Sequence, residues 1–395
     1  MASAEPSIRK HIDFLDGLRA LAALFVLVSH TWYQIWPAVV PPFGYSDRPT
    51  GVTLILTSWL YYGHFAVVVF IVLSGFCLML PVIRGDGTLR GGTVEFFKRR
   101  ARRILPPYYF ALLLSLFLIW VCIDSKTGSQ WDISLPVTQV GLLAHFFMLQ
   151  DLIAATEINY VFWSIALESQ LYLCFPPLVL SWRRFGSTGT TIAAGFFTYA
   201  TILSLERAQV RDIPPQFIGL CFHFVLGMLA ATIVFSQQDL WPVLRRHFPW
   251  HFAAAGLTLL IVFFCYVWGF DTAEARFAFL DTLCAFATLC LLVAAGGQGE
   301  NRLRDFLSFK PLVFIGTFSY SLYLIHAPLL QLIWQYALHP LHLGDTSEFV
   351  LLLLAGNPLI LAAAYIFFLF AERPFLNRPG VPLSKGTSPI AKKLK

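Results

Sequence analysis

The chain has 395 residues, of which 57% are hydrophobic and only 13% charged, with a formal net charge of +6 at pH 7. A soluble globular domain carries about 25% charged residues, so this composition, with a mean hydropathy of +0.68, excludes that class. It predicts an all-α, polytopic membrane helical bundle whose surroundings are membrane lipids, with no nucleic-acid partner.

Met1–Lys10 lacks an apolar core, so no cleavable signal peptide is expected and the first apolar run is a retained span. About 20 apolar residues cross a bilayer as a helix. On that measure ten spans are expected, over roughly 14–36, 52–82, 104–123, 160–181, 189–205, 216–235, 250–269, 277–295, 312–338 and 349–370. The second is long enough to tilt or to include an interfacial turn near 61–64. The fifth, short and rich in Thr and Gly, is the weakest. With the N-terminus inside, 22 of the 28 Lys and Arg fall in inner segments and five in outer ones, which by the positive-inside rule gives N-in and C-in in the cytoplasmic membrane. The one long outer loop, 124–159, is expected to carry a short helix over 139–150, lying in the interface or lidding a cavity. Residues 1–375 form a single membrane domain, and 376–395 a basic, disordered cytoplasmic tail. The seven Cys fall in apolar runs without C-x-x-C or His/Cys ligand spacing, so neither a disulfide nor a metal site is expected.

Ionisable residues inside spans are costly and mark function or specific pairing. In "DGLRALAALFVLVSH" (16–30), Arg19 and His30 are eleven residues apart, three helical turns plus about 20°, so both project from one face, separated by ~16 Å along the axis. Asp16 can pair with Arg19. A neutral imidazole at mid-membrane suits proton transfer. In "FFKRRARRILPPYYF" (96–110), Lys98, Arg99, Arg100, Arg102 and Arg103 serve either topology and lipid phosphate or the clamping of a soluble polyphosphate. In "YVFWSIALESQLYL" (160–173), Trp163, Ser164, Glu168 and Tyr172 share helical spacing. The stripe is either glue between helices or part of a site. In "GTFSYSLYLIHAPLL" (316–330), Ser319, Tyr323 and His326 lie on one face, with His326 roughly 20 Å from the start of its span. His326 either completes a polar cavity with His30 or satisfies backbone groups freed by Pro328. Among the other histidines, His64 stands out.

Taken in order, these elements resemble the acyltransferase 3 family of multi-pass membrane acyltransferases, and the likeness runs over essentially the whole chain. "FLDGLRALAALFVLVSH" is similar to the family's opening Arg and His separated by ten residues, and "FIVLSGF" (70–76) to its second-span signature. "RRARRILPPY" (99–108), "FWSIALESQLY" (162–172) and "YSLYLIHAP" (320–328) are similar to its later motifs. The resemblance implies transfer of an acyl group, commonly acetyl, from acyl-CoA as co-substrate to a hydroxyl of a sugar, glycan, lipid or small metabolite, with no bound cofactor or metal. It implies that Arg19 and His30 are catalytic, with Glu168 and His326 as further candidates, and that Arg99, Arg100, Arg102 and Arg103 hold the donor. Some members carry a fused esterase-like domain after the last span, which is not expected here.

The mechanism these readings support makes His30 the general base, or the acyl carrier in a ping-pong variant. Ser74, Ser164, Tyr172 and Ser319 are candidate donors to the oxyanion. The rivals are a proton-coupled transporter, for which the paired repeats or interrupted helices around a midplane site are not found, and a non-catalytic lipid-binding membrane protein.

Overall fold

The structure is a computed structural model that describes residues 12–37, 48–85, 87–153, 155–209, 215–237, 240–297 and 299–376; among them there is no strand. The expected tail beyond Leu376 lies outside the described residues.

Helix α1 (Asp13–Ile35) is built on the Ala- and Leu-rich run that favours helix, with Asp13 and Asp16 in the first turn where the macrodipole welcomes negative charge. The second apolar run divides as its length suggested. A short helix, Gly51–Thr57, and a tight turn, Ser58–Tyr62, lead through Gly63 and His64 into α2 (Phe65–Ile83). Helix α3 (Gly92–Leu118) starts beyond Gly91, whose φ of 76° needs a residue without a Cβ. In the outer loop, α4 (Gln139–Phe147) is capped by the Thr138 hydroxyl, which accepts from the Gly141 N–H. The remaining long elements are α5 (Trp163–Arg207), α6 (Pro215–Phe235), α7 (Trp250–Glu274), α8 (Phe277–Gly296), α9 (Lys310–Thr317), α10 (Ser319–Ile333) and α11 (Asn357–Phe367).

Seven described helical stretches are long and apolar enough to cross a membrane, eight if α9 and the α10 stretch, bent by 71°, make one span. The two remaining expected spans, 160–181 and 189–205, are the halves of α5, which breaks at Gly186 (φ 74°, ψ 171°). Ser164, Glu168, Ser169 and Gln170 lower the apolarity of the first half, and Thr and Gly that of the second. The bend between α9 and α10 corrects the continuous helix expected over 312–338. It occurs at Phe318 (φ −119°, ψ 17°), beside Gly316, where α9 lies against the α1 backbone. His326 therefore sits only seven residues, ~10 Å, along its own helix.

Helix α1 is central, with 67% of its most apolar window buried, whereas α7 is peripheral at 6%. It packs on α2, α9 and α10. Its antiparallel register against α2 is set at one end by Arg19 donating to the Cys77 sulfur (2.9 Å) and at the other by Ser29 lying over Gly63. Helices α2 and α6 cross with their backbones in near contact. A Cβ on Gly227 would stand 1.9 Å from the Val72 carbonyl oxygen, and one on Gly75 2.0 Å from that of Phe224. Small residues permit such crossings in membrane proteins, where packing supplies the association energy. Gly227→Ala is therefore expected to destabilise the protein by ~1–3 kcal/mol through overpacking. Gly256→Ala, with nothing within 4 Å of its Cβ, is not. Thermal midpoints of the purified variants check this, and equal midpoints would contradict the crossing.

Candidate active site

Two cavities meet around α1. The first is partly open to its surroundings. One wall is an α2 stripe, Val67, Phe70, Ile71, Ser74, Cys77 and Leu78, whose three- and four-residue steps keep it on one helix face. Arg19 enters from α1, ion-paired with Asp16. Of the four arginines expected to hold a donor, Arg100 and Arg103 line this cavity. Arg99 turns instead to Glu95 (3.6 Å) and the Arg90 carbonyl (2.8 Å), and Arg102 is exposed. Positions 100 and 103 share one face of α3, and 99 and 102 lie beside it. The Arg100 Nε is buried without a hydrogen-bond partner, and its guanidinium carbon lies 6.0 Å from the Tyr172 ring centroid.

From α5, Ser164, Glu168 and Tyr172 face the same space at steps of four. Ser74 Oγ donates to Glu168 (2.8 Å), Tyr172 donates to the same carboxylate oxygen, and the two hydroxyls are 3.0 Å apart. Glu168 is thus a held carboxylate, bound by the second-span and fourth-span motifs together. The four hydroxyls expected as oxyanion donors all line this cavity. Ser74 and Tyr172 are committed to Glu168, and Ser319 donates to the Gly316 carbonyl (2.9 Å). Ser164 is paired with Tyr323 OH (2.6 Å) and also reaches the Val161 carbonyl at 3.5 Å; turning its proton from that carbonyl to Tyr323 frees the tyrosine proton.

The second cavity, about 490 Å³, is lined by His30, His64, Gln130, Asp151, Glu157 and Tyr160 among others, and Val67 lines both cavities. Arg19 and His30 thus open into different cavities, a division that their helical spacing does not reveal.

His30 and His326 stack with ring centroids 5.0 Å apart, and His30 Nδ1 is 2.7 Å from His326 Nε2. The network sets the tautomers. His326 Nδ1 faces the carbonyls of Tyr323 (2.8 Å) and Leu322 (3.1 Å), which only accept, so Nδ1 carries the proton. In neutral His326, Nε2 then accepts, and His30 Nδ1–H donates to it. His30 is left with its lone pair on Nε2, the arrangement a general base requires. Pro328 does not explain His326, because the carbonyl a proline leaves free is that of residue i−4, here Leu324. Leu324 accepts from Asn159 Nδ2 (3.2 Å).

The sequence reading missed Asn159 and the loop residues Gln130, Gln150, Asp151 and Glu157. It also missed Asp281, which binds His64 (2.8 Å) at the rim of the second cavity. Among the described residues, no group of three or more His, Cys, Asp or Glu is placed to hold a metal ion.

A bundle of apolar helices enclosing an imidazole pair, with a cationic cavity on one side and an acidic one on the other, defines a multi-pass membrane protein with a buried polar site. A family model described as an acyltransferase domain, acyltransferase 3, matches residues 12–371, and the chain belongs to that family. It is similar to the peptidoglycan O-acetyltransferase OatA of Listeria monocytogenes, 25% identical over 339 residues, which are 82% of this chain and 50% of that protein. It is also similar to the O-acetyltransferase OatA of Staphylococcus aureus, 24% identical over 352 residues, 83% of this chain and 52% of that protein. The chain spans about half the length of these relatives. No solved structure matches it.

Proposed function

We propose that the chain transfers an acetyl group from acetyl-CoA to a sugar hydroxyl, with His30 as general base and His326 as the residue that orients it. The observation that carries this is the stacked His30–His326 pair, in which His30 lines the acidic cavity and His326 lies 5.8 Å, ring centre to ring centre, from Tyr323 of the arginine-lined cavity. We place the ten spans in the cytoplasmic membrane with both termini inside, so that the arginine cavity faces the cytoplasm.

Arg100, Arg103 and Arg19 hold the donor phosphates, and the pantetheine arm runs along the α2 stripe toward Tyr323 and Val67. Glu168 positions that arm through the hydroxyls of Ser74 and Tyr172. The acceptor hydroxyl lies against His30 Nε2. As its oxygen attacks the thioester carbonyl, His30 takes the proton, and the Ser164–Tyr323 pair donates to the oxyanion. The charge on His30 spreads to His326, whose Nδ1–H is held by two carbonyls. Collapse breaks the C–S bond, and the thiolate recovers the proton from His30, leaving the ester and CoA thiol. Acetylation of glycans by the relatives, as their name for the Listeria protein states, supports a sugar acceptor.

The test is transfer by purified protein from acetyl-CoA to an N-acetylglucosamine oligomer, read by mass spectrometry. Charge-assisted hydrogen bonds contribute ~1.5–3 kcal/mol, so Arg100→Gln with Arg103→Gln is expected to raise the KM for acetyl-CoA by roughly tenfold or more. The KM for S-acetylpantetheine, a thioester without phosphates, is expected to stay the same. An unchanged KM for acetyl-CoA would refute the donor assignment.

A further inference from the structure

The second cavity gathers buried polar residues that the proposed chemistry does not use. Among the described residues, thirteen buried side-chain polar atoms have no hydrogen-bond partner, and five of them belong to residues that line this one cavity: Gln130, Gln150, Asp151, Glu157 and Tyr160. Gln150 is 1% and Tyr160 7% exposed, so neither is a solvated surface group. The carboxylates and side-chain amides that these residues bring to the lining are rich in acceptor oxygens, the complement of a ligand rich in hydrogen-bond donors.

The histidine beside this wall does not relieve Glu157. His145 Nε2 is 3.3 Å from Glu157 Oε2, but it already accepts from the Ile158 N–H (3.2 Å), while its Nδ1 faces the Gly141 carbonyl (2.8 Å). Neutral His145 therefore has no proton to offer Glu157. Burial, and then the neighbouring Glu157 carboxylate, push the Asp151 carboxyl up to about 7, so Asp151 adds its full negative charge to the wall only above that pH, and the binding comparison below is made at pH 8.5. Among the described residues no Lys or Arg lines the cavity; the acidic groups that line it are Asp151, Glu157, and Asp281 with its partner His64. Tyr160 links the wall to the reacting centre, its ring lying edge-on to His30 at 5.3 Å.

We propose that the wall formed by Gln150, Asp151, Glu157 and Tyr160 selects the acceptor, taking an uncharged sugar unit through its hydroxyl and amide donors and rejecting a unit that carries a carboxylate. The proposal rests on the reading of this cavity as the acceptor side. Specificity of this kind comes as much from the repelled partner as from the favoured one.

The experiment measures binding of methyl N-acetylglucosaminide and of its C6 uronate to the full chain in nanodiscs, by saturation-transfer NMR, with no donor present. The uncharged sugar is expected to bind at least tenfold more tightly than the uronate. In the variant carrying Asp151→Asn and Glu157→Gln, which keeps side-chain size, that preference is expected to fall to about twofold or less. Equal binding of the two probes by the wild type overturns the proposal, as does binding of neither, or a variant that keeps the wild-type preference. The wild-type comparison needs no substitution and so does not depend on the variant's folding. Transfer from acetyl-CoA is assayed separately: selective binding without transfer retains this proposal and removes the acyltransferase reaction, and transfer without selectivity does the reverse.

Discussion

His30→Ala is expected to lower transfer at saturating acetyl-CoA and sugar by about 10²–10⁴-fold, the usual contribution of a general base. The effect should fall on kcat. In the proposed reaction the donor is held by arginines in the other cavity and the acceptor by the loop wall, so both KM values should move little. His30 is only partly buried and lines the second cavity, with Nδ1 committed to His326, so its one remaining nitrogen is Nε2. A variant that acetylates at the wild-type rate would remove His30 from the mechanism. The same assay separates direct transfer from an acyl-His30 intermediate. With radiolabelled acetyl-CoA and no acceptor, direct transfer predicts no label retained by the wild-type protein.

The second large effect is expected at His326, which does not touch the reacting atoms and acts by orienting His30. Without its Nε2, the His30 Nδ1–H loses its acceptor, and the tautomer with the lone pair on Nε2 is no longer selected. His326→Leu, which fills the volume, is expected to reduce kcat by roughly 10²-fold, at the lower end of what a positioned base contributes. His326→Gln keeps an oxygen that can accept from His30 and an N–H that can reach the Tyr323 carbonyl. It should recover part of the loss, giving the order wild type, Gln, Leu, with both KM values unchanged. If Leu and Gln behave alike, His326 only packs, and the two-imidazole relay is wrong.

The most legible parts of the site were those whose chemistry conflicts with their surroundings. His30, Glu168 and His326 are ionisable groups in apolar runs, and the fold gives each a specific partner: His326 for His30 and the Ser74 and Tyr172 hydroxyls for Glu168. Helical arithmetic also put Ser319 and Tyr323 on one face, and both line the arginine cavity. The same arithmetic separates Arg100 and Arg103 from Arg99 and Arg102, although the run of cations does not say which pair faces inward. That was decided by Glu95, four residues before Arg99, which draws it away.

The acceptor side was not legible. Gln130, Asp151 and Glu157 belong to a loop without periodicity, where polar residues are ordinary; only folding α4 and its flanks over α1 turns them toward His30. The break at Phe318 was hidden as well. It lies between two helical patterns with no proline at the junction, and its surroundings come from Gly316 meeting the α1 backbone, a contact between elements nearly 300 residues apart. The span count met a similar limit, since the polar groups that α5 presents to the cavity are the ones that lower its hydropathy.

The central claim, two substrate cavities opening on either side of one imidazole pair, is tested most directly by sided transfer. Protein reconstituted in sealed vesicles, with acetyl-CoA confined to one compartment and an N-acetylglucosamine oligomer to the other, should acetylate the sugar. Acetylation should be absent when both substrates are confined to the compartment facing the acidic cavity. Acetylation that requires donor and acceptor in the same compartment would contradict the account.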